Sequence, residues 1–308
     1  MNDISVIIIN YNSSHFTINC IKSITSNTSN TITYELIIID NASNIKDFTH
    51  LKLSLDELNL PNLKLVRSKF NTGFGGGNMF GVQFANGKYY AFINNDTVLK
   101  NNCLSIMYQF LENNKNAAIC SPQQYNEKDE VQKSFDHFLS LKRELLGRKL
   151  LEKLNPIEYP KRQKIYAAPL KVQSVPGSFL VVKAEAFHSV GGFDTNIFLY
   201  YEETDLCFRI SKKLKNSHCY LVPEGKFTHF KGQSTPQNIE IKKELKISLM
   251  YVLRKNSGYV TYEILRWLLT FKYLLKSIFK PKYFKLFILF LKGAPISASL
   301  KQQQLIAK

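Results

Sequence analysis

The chain predicts an α/β fold: a Rossmann-like, mostly parallel open sheet flanked by helices, with a C-terminal helical extension. Three observations predict it. Short apolar runs rich in β-branched residues recur through the first hundred residues, they alternate with longer amphipathic segments, and several of them end in Asn and Asp. Strands that are apolar along their whole length are buried on both faces, the condition of a parallel sheet covered by helices.

In chain order, the run 4–9 precedes a helix-like stretch 14–26, the run 36–39 precedes a mixed stretch 45–58, and 63–66 is a third run. A glycine-rich loop at 71–78 leads into 79–85 and then the run 89–93. Beyond it come a helix over 101–113, a strand over 117–120 and a charged region, 142–164, that reads as a helix followed by a mobile loop. A strand over 179–182 and a turn at Gly191-Gly192-Phe193-Asp194 precede a helix over 200–213 with acids in its first turn. Asn10-Tyr11-Asn12, Asp40-Asn41-Ala42-Ser43 and Asn94-Asn95-Asp96-Thr97 each follow a run. Ligands of open α/β sheets bind at the carboxyl ends of strands, so these clusters predict one shared cleft.

Composition bounds the class. The 308 residues carry 41 Lys and Arg against 24 Asp and Glu, a net charge of +17, with 44% hydrophobic and 13% aromatic residues. That core content excludes wholesale disorder, and collagen-like or disulfide-scaffold classes fail on composition. Five cysteines without a C-x-x-C pair predict reduced core thiols in a cytosolic protein. The first residues, Met1 to Val6, carry an acid where a secretory signal carries lysines, so no signal peptide is expected. The longest apolar stretch of the tail, 286–291, lies between Lys285 and Lys292 and is far short of the roughly 18 residues of a membrane span.

The charge is a property of the tail. Residues 242–308 hold 14 basic residues and two acids, Glu244 and Glu263, a local net of +12, against +5 for residues 1–241. Division at 241/242 thus separates a sheet domain from a basic amphipathic tail. Two readings of the tail stand side by side: helices lying on an anionic bilayer with lysines at the headgroups, or helices packed on the protein's own core. Nucleic acid ranks behind both, because a bilayer accounts for the many Leu, Ile and Phe residues beside the lysines.

Four constellations carry chemistry. Asn71-Thr72-Gly73-Phe74-Gly75-Gly76-Gly77-Asn78 allows close backbone approach to a ligand and offers helix N-terminal amides to an anion, although it also reads as a tight strand-to-helix turn. It fails the G-x-G-x-x-G spacing, and it lacks the ending of a P-loop. Asp96, among amides after a strand, suits a divalent cation completed by water and diphosphate, or a helix-capping Asx-turn. Glu202-Glu203-Thr204-Asp205 follows an aromatic run; such acids either sit at a solvated helix start or include a general base whose pKa burial raises. His229 is a structural imidazole or completes the site of Asp96.

In this order the four elements resemble glycosyltransferase family 2, the inverting nucleotide-sugar-dependent enzymes of the GT-A fold, and more narrowly its rhamnosyltransferase-like bacterial branch. The matching residues are VIIINYN (6–12), ELIIIDNAS (35–43), NTGFGGGN (71–78), FINNDT (92–97), PGSFLVVKAEAFHSVGGFD (176–194), FLYYEETDLCFRI (198–210) and HFKGQS (229–234). The resemblance implies that Asn10, Tyr11 and Asn12 border the nucleotide and that Asp40 bonds its pyrimidine. Asn71, Gly73, Asn78, Asn94 and Asn95 would complete the donor pocket. Asp96 would hold Mg²⁺ or Mn²⁺ with help from His229; Asn94 replaces the first acid of the D-x-D-like motif. Glu203 falls where the family's base is aspartate, with Glu202 as its neighbour, and Gly177, Tyr201 and Asp205 would lie on the acceptor side.

The implied activity moves a rhamnose-like sugar from a dTDP- or UDP-sugar to a glycan or lipid-linked acceptor, at the inner face of the cytoplasmic membrane, in lipopolysaccharide, O-antigen or capsule synthesis. Two other classes remain beside it. A non-catalytic nucleotide-sugar binder shares the motifs, whereas a nucleotidyltransferase needs a basic glycine-rich loop after the first strand, which Asn10-Tyr11-Asn12-Ser13 does not supply.

Overall fold

In a computed structural model, which describes residues 1–230 and 238–303, the apolar runs are strands of one sheet. The first half comprises β1 (Ile4–Asn10), α1 (Ser14–Asn27), β2 (Tyr34–Asp40), α2 (Ile45–Leu58), β3 (Leu63–Arg67), α3 (Gly73–Val82) and β4 (Tyr89–Asn94). Its strands run parallel in the order β3-β2-β1-β4. Side chains of β1 alternate between two cores: Ile4, Val6 and Ile8 enter one and Ile7 the other, all fully buried. Burial on both faces explains why these strands read as continuous apolar runs. The register sets Asn10 beside Asp40 and Ile9 beside Asn94, so the polar strand ends converge at one edge.

The second half contains β5 (Thr97–Leu99), α4 (Cys103–Asn113), β6 (Ala117–Tyr125), α5 (Leu141–Leu146), α6 (Arg148–Leu154), β7 (Leu170–Val172), β8 (Phe179–Lys183), α7 (Ala184–Ser189), α8 (Glu202–Lys213) and β9 (His218–His229). Past β4 the sheet continues as β8-β6-β9-β5, with β8 antiparallel to both of its neighbours and β7 antiparallel to β9. The sheet is therefore parallel in its first half and mixed in its second.

Three elements differ from their sequence reading. Helix α3 begins at Gly73, within the expected loop. Its glycines serve packing: a Cβ at Gly81 would lie 2.6 Å from Ile7 Cγ2, and one at Gly77 would lie 3.1 Å from Ile9 Cδ1. Strand β6 runs on to Tyr125 through Pro122, where a register shift accommodates the missing N–H. The charged region forms two short helices, held by Asp136, which pairs with Arg148 at 2.8 Å and Arg162 at 3.2 Å. All five cysteines are free and buried.

The tail starts at Ile239 with α9 (Ile239–Phe279), which is broken at Gly258 (φ 85°, ψ 171°). A straight helix of this length would hold its ends about 60 Å apart. Instead Lys242 Nζ reaches Tyr283 Oη at 3.2 Å and Lys285 reaches Glu240 at 3.0 Å, so the chain folds back on itself before α10 (Phe284–Leu291). Leu249, Leu253, Leu265, Tyr273 and Phe290 form its core together with Leu139 and Ile197 of the sheet domain. Lys255 bonds Asp194 at 2.7 Å, and the Ser248 hydroxyl donates to Leu199 O. The first half of α9 thus packs on the α/β unit. Among the described residues, no helix is long and apolar enough to cross a membrane.

Candidate active site

The floor of the cleft is a saturated polar network. Asn10, fully enclosed, donates from Nδ2 to Asp40 at 3.0 Å, Ser43 at 3.1 Å and Asp47 at 2.9 Å, and accepts from Thr17 at 2.7 Å. Arg67 Nε lies 3.3 Å from Asp40 Oδ2, and Ser43 N–H donates to the same oxygen at 3.3 Å. Asn10 and Asp40 therefore stand behind the pocket wall, and a base could bond Asp40 only by displacing one of these partners. Asn12, at φ 51°, turns outward and accepts from Asn44.

Above this floor is a pocket of about 330 Å³. Of the expected donor residues, Tyr11, Asn71, Gly73, Asn94 and Asn95 line it. Asn95 is held by Ser13 Oγ at 2.7 Å and Thr17 Oγ1 at 2.9 Å, and Asn71 accepts from Asn41 at 3.1 Å. Gly73 has φ +74°, and a Cβ there would lie 1.9 Å from Phe198 O, so only glycine fits. Asn78 is buried beneath, donating to Phe74 O at 3.0 Å.

Among the lining residues that sequence reasoning missed are Ile241 and Leu300, which reach the pocket from α9 and from the C-terminal stretch after α10. Glu244 anchors that segment by accepting from Ser299 Oγ and Leu300 N–H, each at 2.8 Å. The one available signal was an acid in a tail with a single other.

Asp96 and His229 do meet. Asp96 is buried after β4, while His229 ends β9 opposite Thr97, bringing Nε2 to 3.1 Å from Asp96 Oδ1. A carboxylate touching an imidazole fits a divalent cation that keeps substrate oxygens and water as its other ligands, and among the described residues the buried Nδ1 of His229 has no hydrogen-bond partner. No group of three or more His, Cys, Asp and Glu gathers among the described residues, so the protein supplies only part of such a coordination shell. The expected motif residues 231–234 lie outside the described residues.

Across the cleft the chain enters α8 through Tyr200 and Tyr201, both left-handed at φ 76° and 71°, a strained conformation for bulky residues. Phe74 N–H donates to Phe198 O, which ties this turn to α3. The turn presents the two glutamates differently. Glu202 packs under α3, its Cγ 3.4 Å from where a Cβ of Gly75 would be, and among the described residues its buried Oε1 has no hydrogen-bond partner. Glu203 keeps some exposed surface: a Cβ on Gly177 would lie 3.5 Å from both its Oε2 and the Phe74 ring. Phe74 lines the pocket and Asn94 N–H donates to Ser178 O, so Gly177 and Glu203 stand next to the lining residues without being part of the lining themselves.

Burial pushes the Glu203 carboxyl up to about 7, with Asp136 adding to the rise and Arg143 opposing it. Burial lifts Glu202 well above its ordinary value, and the neighbouring Glu203 lifts it further. A carboxyl poised near neutrality suits a general base. Asp205 stands apart: fully enclosed, it is bonded to Arg209 at 2.6 Å and Lys255 at 3.0 Å, locking α8 to α9. Tyr201 lies beneath the Arg143 guanidinium, 5.8 Å from ring centre to Cζ.

The family model described as Glycosyl transferase family 2 matches residues 5–188. The match covers more than half of the chain and ends before α8. Rhamnosyltransferase WbbL of Escherichia coli (strain K12) is 28% identical over 170 residues, which cover 51% of this chain and 61% of that protein. The chain thus spans less than two thirds of that relative's length. Among solved structures, the crystal structure of GalNAc-T7 with UDP, GalNAc and Mn²⁺ superposes with a TM-score of 0.61 at 14% identity, over 95% of this chain and 56% of that one.

Proposed function

The chain belongs to glycosyl transferase family 2, and on that premise we propose that it is an inverting glycosyltransferase. It moves a sugar, rhamnose-like, from a nucleotide diphosphate donor to a hydroxyl of a cell-surface glycan or a lipid-linked precursor. The observation that supports this reading is that Phe74, which lines the pocket with Asn94 and Asn95, and Glu203 Oε2 both lie 3.5 Å from where a Cβ of Gly177 would be. The relative named a rhamnosyltransferase supports the donor class, and the neighbour crystallised with UDP and Mn²⁺ supports a nucleotide diphosphate and a divalent cation.

In the reaction Glu203 accepts the proton of the acceptor hydroxyl, whose oxygen bonds the anomeric carbon as the bond to the diphosphate breaks and its electron pair leaves with the phosphate. Attack from the face opposite the leaving group inverts the configuration. Tyr11, Asn71 and Asn95 hold the donor, and Gly73 and Phe74 form the wall over which the acceptor meets it. Asp96 and His229 would hold the cation, which when bound supplies Lewis-acid neutralisation of the leaving diphosphate. The basic tail supports work at an anionic membrane surface, on its cytoplasmic side.

Titration of the purified protein with UDP, dTDP, GDP and NADH tests the class. Micromolar binding of one pyrimidine diphosphate, strengthened by Mn²⁺, is expected; NADH binding in its place would reject the reading. With acceptor present, chelation by EDTA should abolish transfer, and full metal-free activity would remove the role given to Asp96 and His229.

A further inference from the structure

The second half of α9 has two apolar faces. Tyr262, Leu265, Leu269 and Tyr273 are buried in the core of the tail, with Tyr273 stacked on Phe290 of α10 and Tyr262 Oη donating to Gly293 O at 2.6 Å. Val260, Ile264, Trp267, Phe271, Leu275 and Ile278, spaced by three, four or seven residues, fall on the opposite face and are exposed, Val260 by 72% and Phe271 by 62%. Among the described residues, more than half of the large apolar side chains left exposed lie between 259 and 291. Lys272, Lys276, Lys280 and Lys282 are exposed among them.

A second patch with the same chemistry lies on α5 and α6, far away in sequence. Leu145, Leu146, Leu150, Leu154 and Ile157 are exposed there beside exposed Lys149 and Lys153. The first half of α9 neighbours both patches: its half-buried Lys246 is within electrostatic reach of Glu144 and Arg148 and of Lys272. Helix α5 in turn abuts the base, since Arg143 acts on the Glu203 carboxyl and covers Tyr201.

We infer that the outer face of α9 and the α5–α6 pair form one docking surface for an anionic lipid bilayer, holding the Glu203 side of the cleft at the headgroups. Charge selects this occupant. Two copies apposed through this face would bring their lysines together with few acids to offset them, whereas anionic headgroups neutralise lysines while the acyl boundary takes up the apolar stripe. The inference deepens the proposed function and rests on it in one respect: an acceptor hydroxyl entering beside Glu203 then arrives from the membrane, carried by an amphiphile.

Trp267 is the chain's single tryptophan and stands in the exposed stripe, so the unmodified protein reports its own docking. With vesicles of phosphatidylglycerol and phosphatidylcholine, its emission should shift to the blue, brominated acyl chains should quench it, and added salt should weaken binding; pure phosphatidylcholine should bind less. Replacing Phe271→Asp with Ile278→Asp, or separately Leu150→Asp with Leu154→Asp, should each weaken binding about tenfold or more. Both pairs are exposed and spare the core.

Unchanged emission with no co-sedimentation overturns the inference. So does emission already blue-shifted in buffer by a concentration-dependent dimer and insensitive to vesicles. An α5–α6 variant that binds as tightly as the parent refutes the continuous surface. Titration with UDP and dTDP in the absence of vesicles reads the transferase proposal independently of all three.

Discussion

Asp40 and Glu202 are almost equally enclosed, at 0% and 2% exposure, yet the two sides of the cleft treat their acids in opposite ways. On the donor side, Asp40 is met by Asn10, Ser43 and Arg67, and Asp47 by Asn10 and by the amide and hydroxyl of Ser14. Burial alone would raise Asp47, but those bonds overcome it and hold the carboxyl below its usual value. On the side of Glu203, the proposed base, Glu202 Oε1 has no hydrogen-bond partner among the described residues and burial raises Glu203 to about 7. Burial sets how much is at stake, and the partners decide the sign. Saturated acids hold geometry; the undersaturated pair keeps a proton within reach of neutral pH.

The largest test of this contrast removes the acid proposed as the base. Glu203→Gln should lower transfer about 10²–10⁴-fold with folding intact, and near-parental rates would end its assignment as base. Gly73→Ala strikes the contact that joins the two sides, where φ is +74° and Phe198 O leaves no room. A loss of stability on the order of 2–4 kcal/mol is expected, and an unshifted denaturation midpoint would contradict the geometry.

The pH dependence sharpens the comparison. With the Glu203 carboxyl at about 7, kcat/KM should fall as pH drops below that value; a limb near 4.5 would mean that the base is solvated. Because the folded state lifts the Glu202 and Glu203 carboxyls, protonation favours folding. That contribution is complete below the ordinary carboxylate range and is lost as pH rises through the folded value of each group. Melting temperature should therefore decline from pH 5 towards pH 8, and Glu202→Gln should flatten the decline.

The smallest effect belongs to Asp47→Asn. Its lowered carboxyl stabilises the fold above the ordinary value and ceases to do so in acid, so the variant should lose about 1 kcal/mol near pH 7 and match the parent in strong acid. The kcat/KM limb near 7 should stay where it was.

Much of the fold was legible because its signals are local. Continuous β-branched runs marked β1 and β2, an aromatic-rich apolar run marked β4, and amides at and after the strand ends marked the cleft wall that Asn71, Asn94 and Asn95 line. The start of α3 was illegible because glycine reads as loop, whereas Gly77 and Gly81 let that helix approach Ile9 and Ile7. The far end of β6 was hidden by Ser121, Pro122, Gln123 and Gln124, polar residues buried in a strand. Ile241 and Leu300 gave no signal of their own beyond the acid Glu244 that anchors them, because their contact with the pocket spans most of the chain.

The sequence by itself determined the strands, the order of the polar strand ends and the identity of the acids, since periodicity and residue type act over a few neighbours. Only the tertiary structure decided which acids are saturated, where the tail reaches the pocket, and that α5–α6 and α9 present their apolar residues outward. A pKa or a packed face depends on atoms a few ångströms away in space, and here those atoms come from residues 30 to about 290 positions away in the chain.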